Sequence, residues 1–133
     1  VRAALDAGDA DIVAMKDPTR GGLAGVLHEM AAKGKVSIVV READLPVRAE
    51  VRAAAELLGI DPLVVANEGK AVIGVRREAA ERVLEALRAH PLGKNAALVG
   101  ECVTERPGSV IVDTGFGRRL LAEAEGELQP RIC

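Results

Sequence analysis

Glycine and proline residues divide the chain into short segments, and the hydrophobic pattern of these segments alternates between the helical and the extended period. Apolar residues at positions 23, 26, 27, 30 and 31 have helical spacing, and the β-branched run 36–41 follows them. Helices that alternate with strands bury their apolar faces by packing onto a sheet. The sequence therefore predicts an α/β (α+β) fold, with one mixed β-sheet and helices packed on it.

Individual elements can be placed from the same pattern. Helices are predicted at 22–33, followed by Gly34 as its C-cap, at 47–58, closed by Gly59, and at 78–90. Strands are predicted at 36–41, 71–75, 97–104, 109–114 and 118–121. The last two strands are expected to form a hairpin around the loop 115–117. Residues 11–16 fit either a strand or a helix end.

Composition excludes several classes of function. The chain has 133 residues, the size of one domain, and is 49% hydrophobic, but it contains only one aromatic residue. An aliphatic core is expected, and single-stranded nucleic-acid binding by stacking is disfavoured. The net charge of −2 argues against DNA or an anionic membrane as a partner, and no stretch approaches the ~20 apolar residues of a membrane span. The two distant cysteines make no metal-binding pattern. A disulfide between them is possible, but the composition favours a cytoplasmic protein, in which thiols stay reduced.

The start of the chain is unusual. The first residue is Val1 rather than methionine, and residues 1–5 have the pattern of the end of a helix. We therefore expect the chain to be a piece of a longer protein.

The first segment that could carry chemistry is Asp17-Pro18-Thr19-Arg20-Gly21-Gly22, directly before the helix at 22–33. Gly21 and Gly22 allow a ligand to approach the backbone closely, and free N–H groups at a helix start attract an anion. Arg20 can add a guanidinium group, and Thr19 or Asp17 can cap the helix. An ordinary capped turn explains the same residues.

The second segment is Asn67-Glu68-Gly69-Lys70, a polar interruption between two apolar runs. Glu68 is a candidate general base, and Lys70 is a candidate to stabilise phosphate charge. The alternative is a turn in which Gly69 adopts a positive φ.

The third segment is the C-terminal tail, in which the thiol of Cys133 follows a short Pro-Arg-Ile stem. We expect residues 127–133 to be flexible, so that the tail can carry this thiol to a site or into another protein. The thiolate is disfavoured by the nearby α-carboxylate and favoured by Arg131. A terminal cysteine without a role is the alternative.

The remaining histidines and cysteine are expected to be structural. Neither His28 nor His90 has a partner at metal-ligand spacing. Cys102 falls in a predicted strand, where a small core residue is a better interpretation than a nucleophile.

Three stretches together resemble the HypE family of hydrogenase maturation factors. They are MKDPTRGGLAGVLHEMA (residues 15–31), ELLGIDPLVVANEGKAVIGV (residues 56–75) and the terminal PRIC (residues 130–133). The first two also resemble a wider superfamily of ATP-dependent enzymes that includes aminoimidazole ribonucleotide synthetase and selenophosphate synthetase. The terminal PRIC is specific to HypE, and the resemblance covers essentially the whole chain. It implies a fold similar to the C-terminal domain of aminoimidazole ribonucleotide synthetase.

The resemblance implies a two-domain, homodimeric cytoplasmic protein whose N-terminal half supplies most of the site for ATP and Mg²⁺. This chain then corresponds to the C-terminal domain (residues 1–126) with its tail (residues 127–133), and the N-terminal half is absent. By itself the chain is expected to bind nucleotide weakly and to be inactive.

The family activity that the resemblance implies is the synthesis of the cyanide ligand of [NiFe] hydrogenase. A HypF-type carbamoyltransferase carbamoylates the terminal thiol, here Cys133, and HypE dehydrates the product to a thiocyanate at the expense of ATP. The cyano group then passes to iron held by a HypC–HypD complex. In this scheme Glu68 is the candidate base and Asn67 orients the carboxamide. Arg20, Gly21 and Gly22 are candidates to hold phosphate oxygens or to line the channel for the tail. Lys70 is a candidate for phosphate binding, and no protein metal ligand is assigned.

Two other functions remain open from the sequence. One is an ATP-dependent enzyme of the same superfamily that acts on a small molecule. The other is a non-enzymatic module that only presents its tail to a partner.

Overall fold

The computed structural model describes residues 1–123 of the chain. Within this range the helices are α1 (Arg2–Gly8), α2 (Gly22–Gly34), α3 (Ala49–Leu58) and α4 (Ala80–Ala89). The strands are β1 (Ile12–Lys16), β2 (Ser37–Arg41), β3 (Val72–Val75), β4 (Gly100–Val103), β5 (Val110–Asp113) and β6 (Arg118–Leu120). None of the helices in this range has the length and apolar character needed to cross a bilayer.

The strands of the described residues lie in two sheets rather than in the one sheet that we predicted. A four-stranded mixed sheet has the order β4-β2-β5-β6, with β2 and β5 parallel and the other pairs antiparallel. β1 and β3 pair only with each other, antiparallel. The two strands form a separate ribbon with its own helices and its own small core. The predicted fold class, mixed β-structure with helices packed on it, is confirmed.

The larger core lies between α2 and the four-stranded sheet. Alternate residues of the central strands point to the same face of the sheet, which places Val40, Val110 and Val112 under the helix, all of them fully buried. Ala24, Leu27 and Ala31 of α2 cover them at helical spacing. The core is aliphatic, as the composition predicts.

The smaller core lies between the β1–β3 ribbon and helices α1 and α4. Ala4, Ala79 and Val83 are its buried centre, and Ile12 and Ile73 pack against them from the ribbon. This core fixes β1 against β3, and therefore fixes the loops that follow β1 and precede β3.

Several predicted boundaries need correction. Lys35, not Gly34, is the left-handed C-cap of α2, with φ 51°, and Gly34 is the last helical residue. Residues 11–16 contain a strand, and the helix predicted at 78–90 begins with the 3-10 turn Arg77–Ala79. The hairpin formed by β5 and β6 is confirmed, as is Gly59 as the left-handed C-cap of α3.

The prediction that Cys102 is a core residue is wrong, because its side chain is exposed. Among the strands of residues 1–123, β4 is an edge strand of its sheet, so Cys102 has a described neighbouring strand on one side only. Partial desolvation raises the pKa of the Cys102 thiol. The structural roles predicted for the two histidines are confirmed. Nε2 of His28 bonds to the carbonyl of Leu121 at 2.9 Å, and Nδ1 of His90 accepts from the N–H of Leu92 at 3.2 Å.

Helix α3 buries much less of its surface than its apolar residues led us to expect. Ala55 is its one buried residue, while Val51, Leu57 and Leu58 are 49%, 88% and 67% exposed. α3 therefore presents a largely uncovered apolar surface within the described part of the chain.

Candidate functional site

The two polar motifs lie at the same end of the β1–β3 ribbon. Lys16, the last residue of β1, is paired with Val72, the first residue of β3, so the loop after β1 and the loop before β3 leave the ribbon side by side. A hydrogen bond connects the loops directly, because the N–H of Asn67 donates to the carbonyl of Pro18 at 2.9 Å. Segments separated by about fifty residues in sequence therefore form one site.

Gly22 allows the start of α2 to pack closely against the segment before Asn67. It is buried and has φ +59°, and a Cβ atom added to it would lie 2.5 Å from the carbonyl oxygen of Val65 and 2.6 Å from that of Leu63. Contacts this short with main-chain atoms cannot be relieved by a rotamer change. The structure thus explains the glycine at position 22 by contact with the chain's own backbone, without a bound ligand.

The cap that we predicted for α2 is absent. Gly21 is the N-cap in a left-handed conformation, φ 68°, and no side chain of the described residues caps the helix. The hydroxyl of Thr19 donates instead to the carboxylate of Asp17 at 3.0 Å. Because neither side chain occupies the helix start, the first-turn N–H groups have no side-chain acceptor among residues 1–123. Such groups, at the positive end of the helix dipole, favour an anion.

The residues of the second motif are connected by short-range contacts. Nζ of Lys70 donates to Oδ1 of Asn67 at 2.6 Å, and Gly69 has the predicted positive φ, here +70°. Glu68 is exposed and makes no side-chain hydrogen bond within the described range. Its carboxylate is therefore free to accept a proton from a molecule bound at the loops.

Chemically, the site combines groups of opposite character. Arg20, which is exposed, and Lys70 are cations on adjacent loops, and the uncapped N–H groups of α2 add partial positive charge. Glu68 contributes a carboxylate on the same loop as Lys70. The arrangement can hold phosphate oxygens while accepting a proton nearby. Within residues 1–123 there is no group of three side chains of the kinds that bind metal ions.

A charged cluster behind the first loop was missed in the sequence. Glu29 on α2 is bridged by Lys16, at the end of β1, and by Lys33, whose Nζ lies 2.6 Å from Oε1 of Glu29. Hydrogen bonds from Lys16 and then Lys33 lower the pKa of Glu29 from 4.5 to about 2. The Lys16–Glu29 ion pair connects the end of β1 to α2, the two elements that the first loop joins. The Glu29–Lys33 spacing of four residues was the available signal.

All of the predicted site residues except Cys133 therefore lie on these two loops or, for Gly22, at the first residue of α2: Arg20, Gly21, Gly22, Asn67, Glu68 and Lys70. Cys133, and the tail 127–133 as a whole, lie outside the described residues.

Comparison with known proteins agrees with this description. The family model for the C-terminal domain of AIR synthase related proteins matches residues 1–113. A putative hydrogenase expression/formation protein of Methanocaldococcus jannaschii is 51% identical over 122 residues, which is 92% of this chain and 36% of that protein. The carbamoyl dehydratase HypE of Azotobacter vinelandii is 47% identical over 132 residues, 98% of this chain and 39% of that protein. The chain thus spans less than two-fifths of these relatives.

Solved structures give the same result. A HypE–HypF complex contains a chain that superposes with a TM-score of 0.85 at 38% identity, covering 91% of this chain and 39% of that one. A hydrogenase maturation protein HypE in complex with ATP gives a TM-score of 0.83 at 42% identity, with 92% and 38% covered. The resemblance indicated by the three motifs is confirmed.

Proposed function

We propose that this chain is the C-terminal domain of a carbamoyl dehydratase of the HypE type. The premise is that the chain belongs to the family of AIR synthase related proteins, whose C-terminal domain it matches. Residues 1–126 are the domain and residues 127–133 its tail. The observation that carries the proposal is the hydrogen bond between Asn67 and Pro18, which joins the two motifs into one site. The similarity to proteins named carbamoyl dehydratase HypE supports it.

The reaction that we propose converts a carbamoyl group on the thiol of Cys133 into a thiocyanate. The carboxamide carbon must lose its oxygen, and the nitrogen must lose both of its protons. ATP, when bound, supplies the phosphoryl group that makes the oxygen a good leaving group. ADP is released in that transfer; the C–O bond then breaks, the C≡N bond is completed, and the oxygen leaves as phosphate, while one N–H proton passes to Glu68 and the other to the departing phosphate or to water. The net change at Cys133 is the loss of one water.

In this proposal the two loops contribute different groups to the reaction. The carboxylate of Glu68, which is exposed and makes no side-chain hydrogen bond within residues 1–123, accepts a proton from the carboxamide nitrogen. The amide of Asn67, positioned by its own backbone and by Lys70, orients the carboxamide. Arg20, Lys70 and the N–H groups of the Gly21-Gly22 helix start stabilise phosphate oxygens.

The proposed cofactors are ATP and Mg²⁺, held mostly by residues of an N-terminal half that precedes this domain. The ATP complex of a HypE supports the nucleotide, and the cations of the two loops are suited to its phosphates. No residue of this chain is assigned to Mg²⁺. The complete protein is proposed to be a cytoplasmic homodimer.

The proposed partners follow from the chemistry of the tail. A HypF-type carbamoyltransferase loads Cys133, for which the HypE–HypF complex gives support. A HypC–HypD complex accepts the cyano group on iron. The biological outcome is the maturation of [NiFe] hydrogenase.

The test is mass spectrometry of the C-terminal peptide. The complete protein is incubated with a HypF-type carbamoyltransferase, carbamoyl phosphate and ATP. We expect a carbamoyl adduct on Cys133 that becomes lighter by one water only when ATP is present. An unmodified Cys133 contradicts the proposal and favours a superfamily enzyme acting on a small molecule. An adduct that never loses water favours a module that only presents its tail.

A further inference from the structure

A cavity of about 530 Å³ lies beside the last turn of α4. Three parts of the chain form its wall: residues 46–48 before α3, Arg88 near the end of α4, and residues 94–97. Pockets that bind small molecules are of this size. None of the lining residues belongs to the two loops of the candidate site, so a ligand in this cavity would occupy a separate place.

The charges that line the cavity all have the same sign. Arg48, Arg88 and Lys94 are cations, and no aspartate or glutamate of residues 1–123 lines the cavity with them. The chain as a whole has the opposite balance, with 20 acidic and 18 basic residues. The side-chain amide of Asn95 adds a neutral hydrogen-bond donor. The wall therefore offers positive charge and donors without a competing carboxylate.

These three cations differ from most arginines of the described residues, which are paired with carboxylates. Arg82, for example, pairs with Asp11 at 3.1 Å. Arg48 and Lys94 make neither an ion pair nor a side-chain hydrogen bond within residues 1–123. Cations gathered around one cavity repel each other, and an anion bound between them removes the repulsion. The cavity is therefore suited to a ligand with more than one negative charge.

Arg88 is already oriented for such a ligand. Its Nε donates to the carbonyl of Ala96 at 2.9 Å, which fixes the guanidinium on the wall of the cavity. The terminal N–H groups of Arg88 make no hydrogen bond within the described range. A guanidinium held in this way presents a planar set of donors that matches two oxygens of a phosphate or a carboxylate.

The rest of the wall is apolar and connects the two cores. Pro46, Val47, Ala96 and Ala97 provide carbon atoms against which the body of a ligand can pack. Val47 packs against the larger core, while α4, which carries Arg88, covers the smaller one. A ligand that contacts both sides therefore links the two cores and should stabilise the folded chain.

We propose that this cavity binds a small molecule with two or more anionic groups, either phosphates or carboxylates. Arg48, Arg88 and Lys94 bind the anionic groups, and the apolar part of the wall contacts the carbon atoms between them. The site is separate from the proposed dehydration and does not depend on it.

NMR titration of the chain with pyrophosphate, and separately with citrate, tests the binding. At low ionic strength the amide signals of Asn95, Ala96 and Ala97 should shift and saturate with a dissociation constant of about 1 mM or below, as three charge-assisted contacts allow. The shifts should weaken in 1 M NaCl, where the screening length is about 3 Å. A response to pyrophosphate alone identifies a phosphate ligand, and a response to citrate alone identifies a carboxylate. The urea midpoint should rise with the anion that binds.

Two double variants with the same change in net charge provide the comparison. Arg48→Gln with Lys94→Gln breaks no side-chain hydrogen bond of residues 1–123, so the fold should be retained, and circular dichroism checks this. Its affinity should fall at least about tenfold, because two charge-assisted contacts are lost. Lys35→Gln with Arg106→Gln removes two exposed cations that lie outside the cavity and should leave the affinity within about twofold.

Three results would overturn the proposal. One is an equal loss of affinity in both double variants, which indicates non-specific attraction. Another is a shift of the Gly21 and Gly69 amides while that of Ala96 stays in place, because the anion would then occupy the two loops. The third is a response of the Ala96 amide to a hexaglutamate peptide but to neither small anion, which identifies an acidic protein segment as the ligand.

Discussion

The substitution Gly22→Ala tests how the two motifs are joined. Alanine in the left-handed region costs roughly 1–2 kcal/mol. The added Cβ would also lie 2.5 Å and 2.6 Å from the carbonyl oxygens of Val65 and Leu63, which forces the start of α2 away from the second loop. Overpacking of this kind costs typically about 1–3 kcal/mol. We therefore expect Gly22→Ala to lower the free energy of unfolding by about 2–5 kcal/mol, out of a total of roughly 5–15 kcal/mol.

Gly69→Ala separates the two contributions. Gly69 has a similar φ, +70°, but a Cβ added there meets nothing within 4 Å, so only the conformational cost of about 1–2 kcal/mol applies. Urea unfolding should be followed by circular dichroism, because the chain has no tryptophan or tyrosine for fluorescence. Gly22→Ala should be less stable than Gly69→Ala by about 1–3 kcal/mol. Equal losses of stability in the two variants would refute the packing argument.

Three further predictions concern other parts of the molecule. Since the pKa of Glu29 is lowered to about 2, its stabilising effect is present above its ordinary pKa of 4.5 and is lost as the pH falls toward 2. Glu29→Gln should therefore reduce the urea midpoint at pH 7 and much less at pH 2, whereas Glu85→Gln, at an exposed residue of α4 that forms no ion pair within residues 1–123, should change neither. The raised pKa of the exposed Cys102 thiol predicts slow alkylation at pH 7 that accelerates steadily up to pH 9; rapid reaction at pH 7 would contradict it. Val83→Ala, in the smaller core, should cost about 2–3 kcal/mol in urea unfolding, and a loss below about 0.5 kcal/mol would show that this core is unimportant.

Much of the local structure could be predicted because its signals are local. The apolar spacing of Leu23 to Ala31 identifies α2, the run 36–41 identifies β2, and the glycines at 115 and 117 identify the hairpin of β5 and β6. Each of these signals lies within a dozen residues and reflects a single periodicity or turn.

The arrangement of the strands could not be predicted in the same way. The pairing of β1 with β3 brings together residues about sixty positions apart, and nothing in either strand specifies its partner. The same holds for Cys102, because a strand sequence does not show whether the strand lies at the edge of a sheet. A helix was predicted at 47–58 from its apolar residues, and the structure leaves Val51, Leu57 and Leu58 of α3 largely exposed. Its sequence pattern shows which side is apolar but not what covers it.

The two motifs of the candidate site could be predicted from the sequence, but their proximity in one site could not. Asn67, Glu68 and Lys70 stand out as polar residues between apolar runs, and Arg20 stands out beside two glycines. Only the structure shows that the loops are joined by a hydrogen bond. It also gives Gly22 a packing role where the sequence indicated a contact with ligand.

The central claim is that the joined loops act chemically on the group carried by Cys133, and a single-turnover experiment tests it most directly. The complete protein is first carbamoylated on Cys133, and ATP is then added while the loss of water from the C-terminal peptide is followed by mass spectrometry. If Glu68 is the base, Glu68→Gln should slow this step by at least about 100-fold, the usual contribution of a general base, while Glu50→Gln should leave it unchanged. A Glu68→Gln variant that loses water at the wild-type rate would contradict the claim.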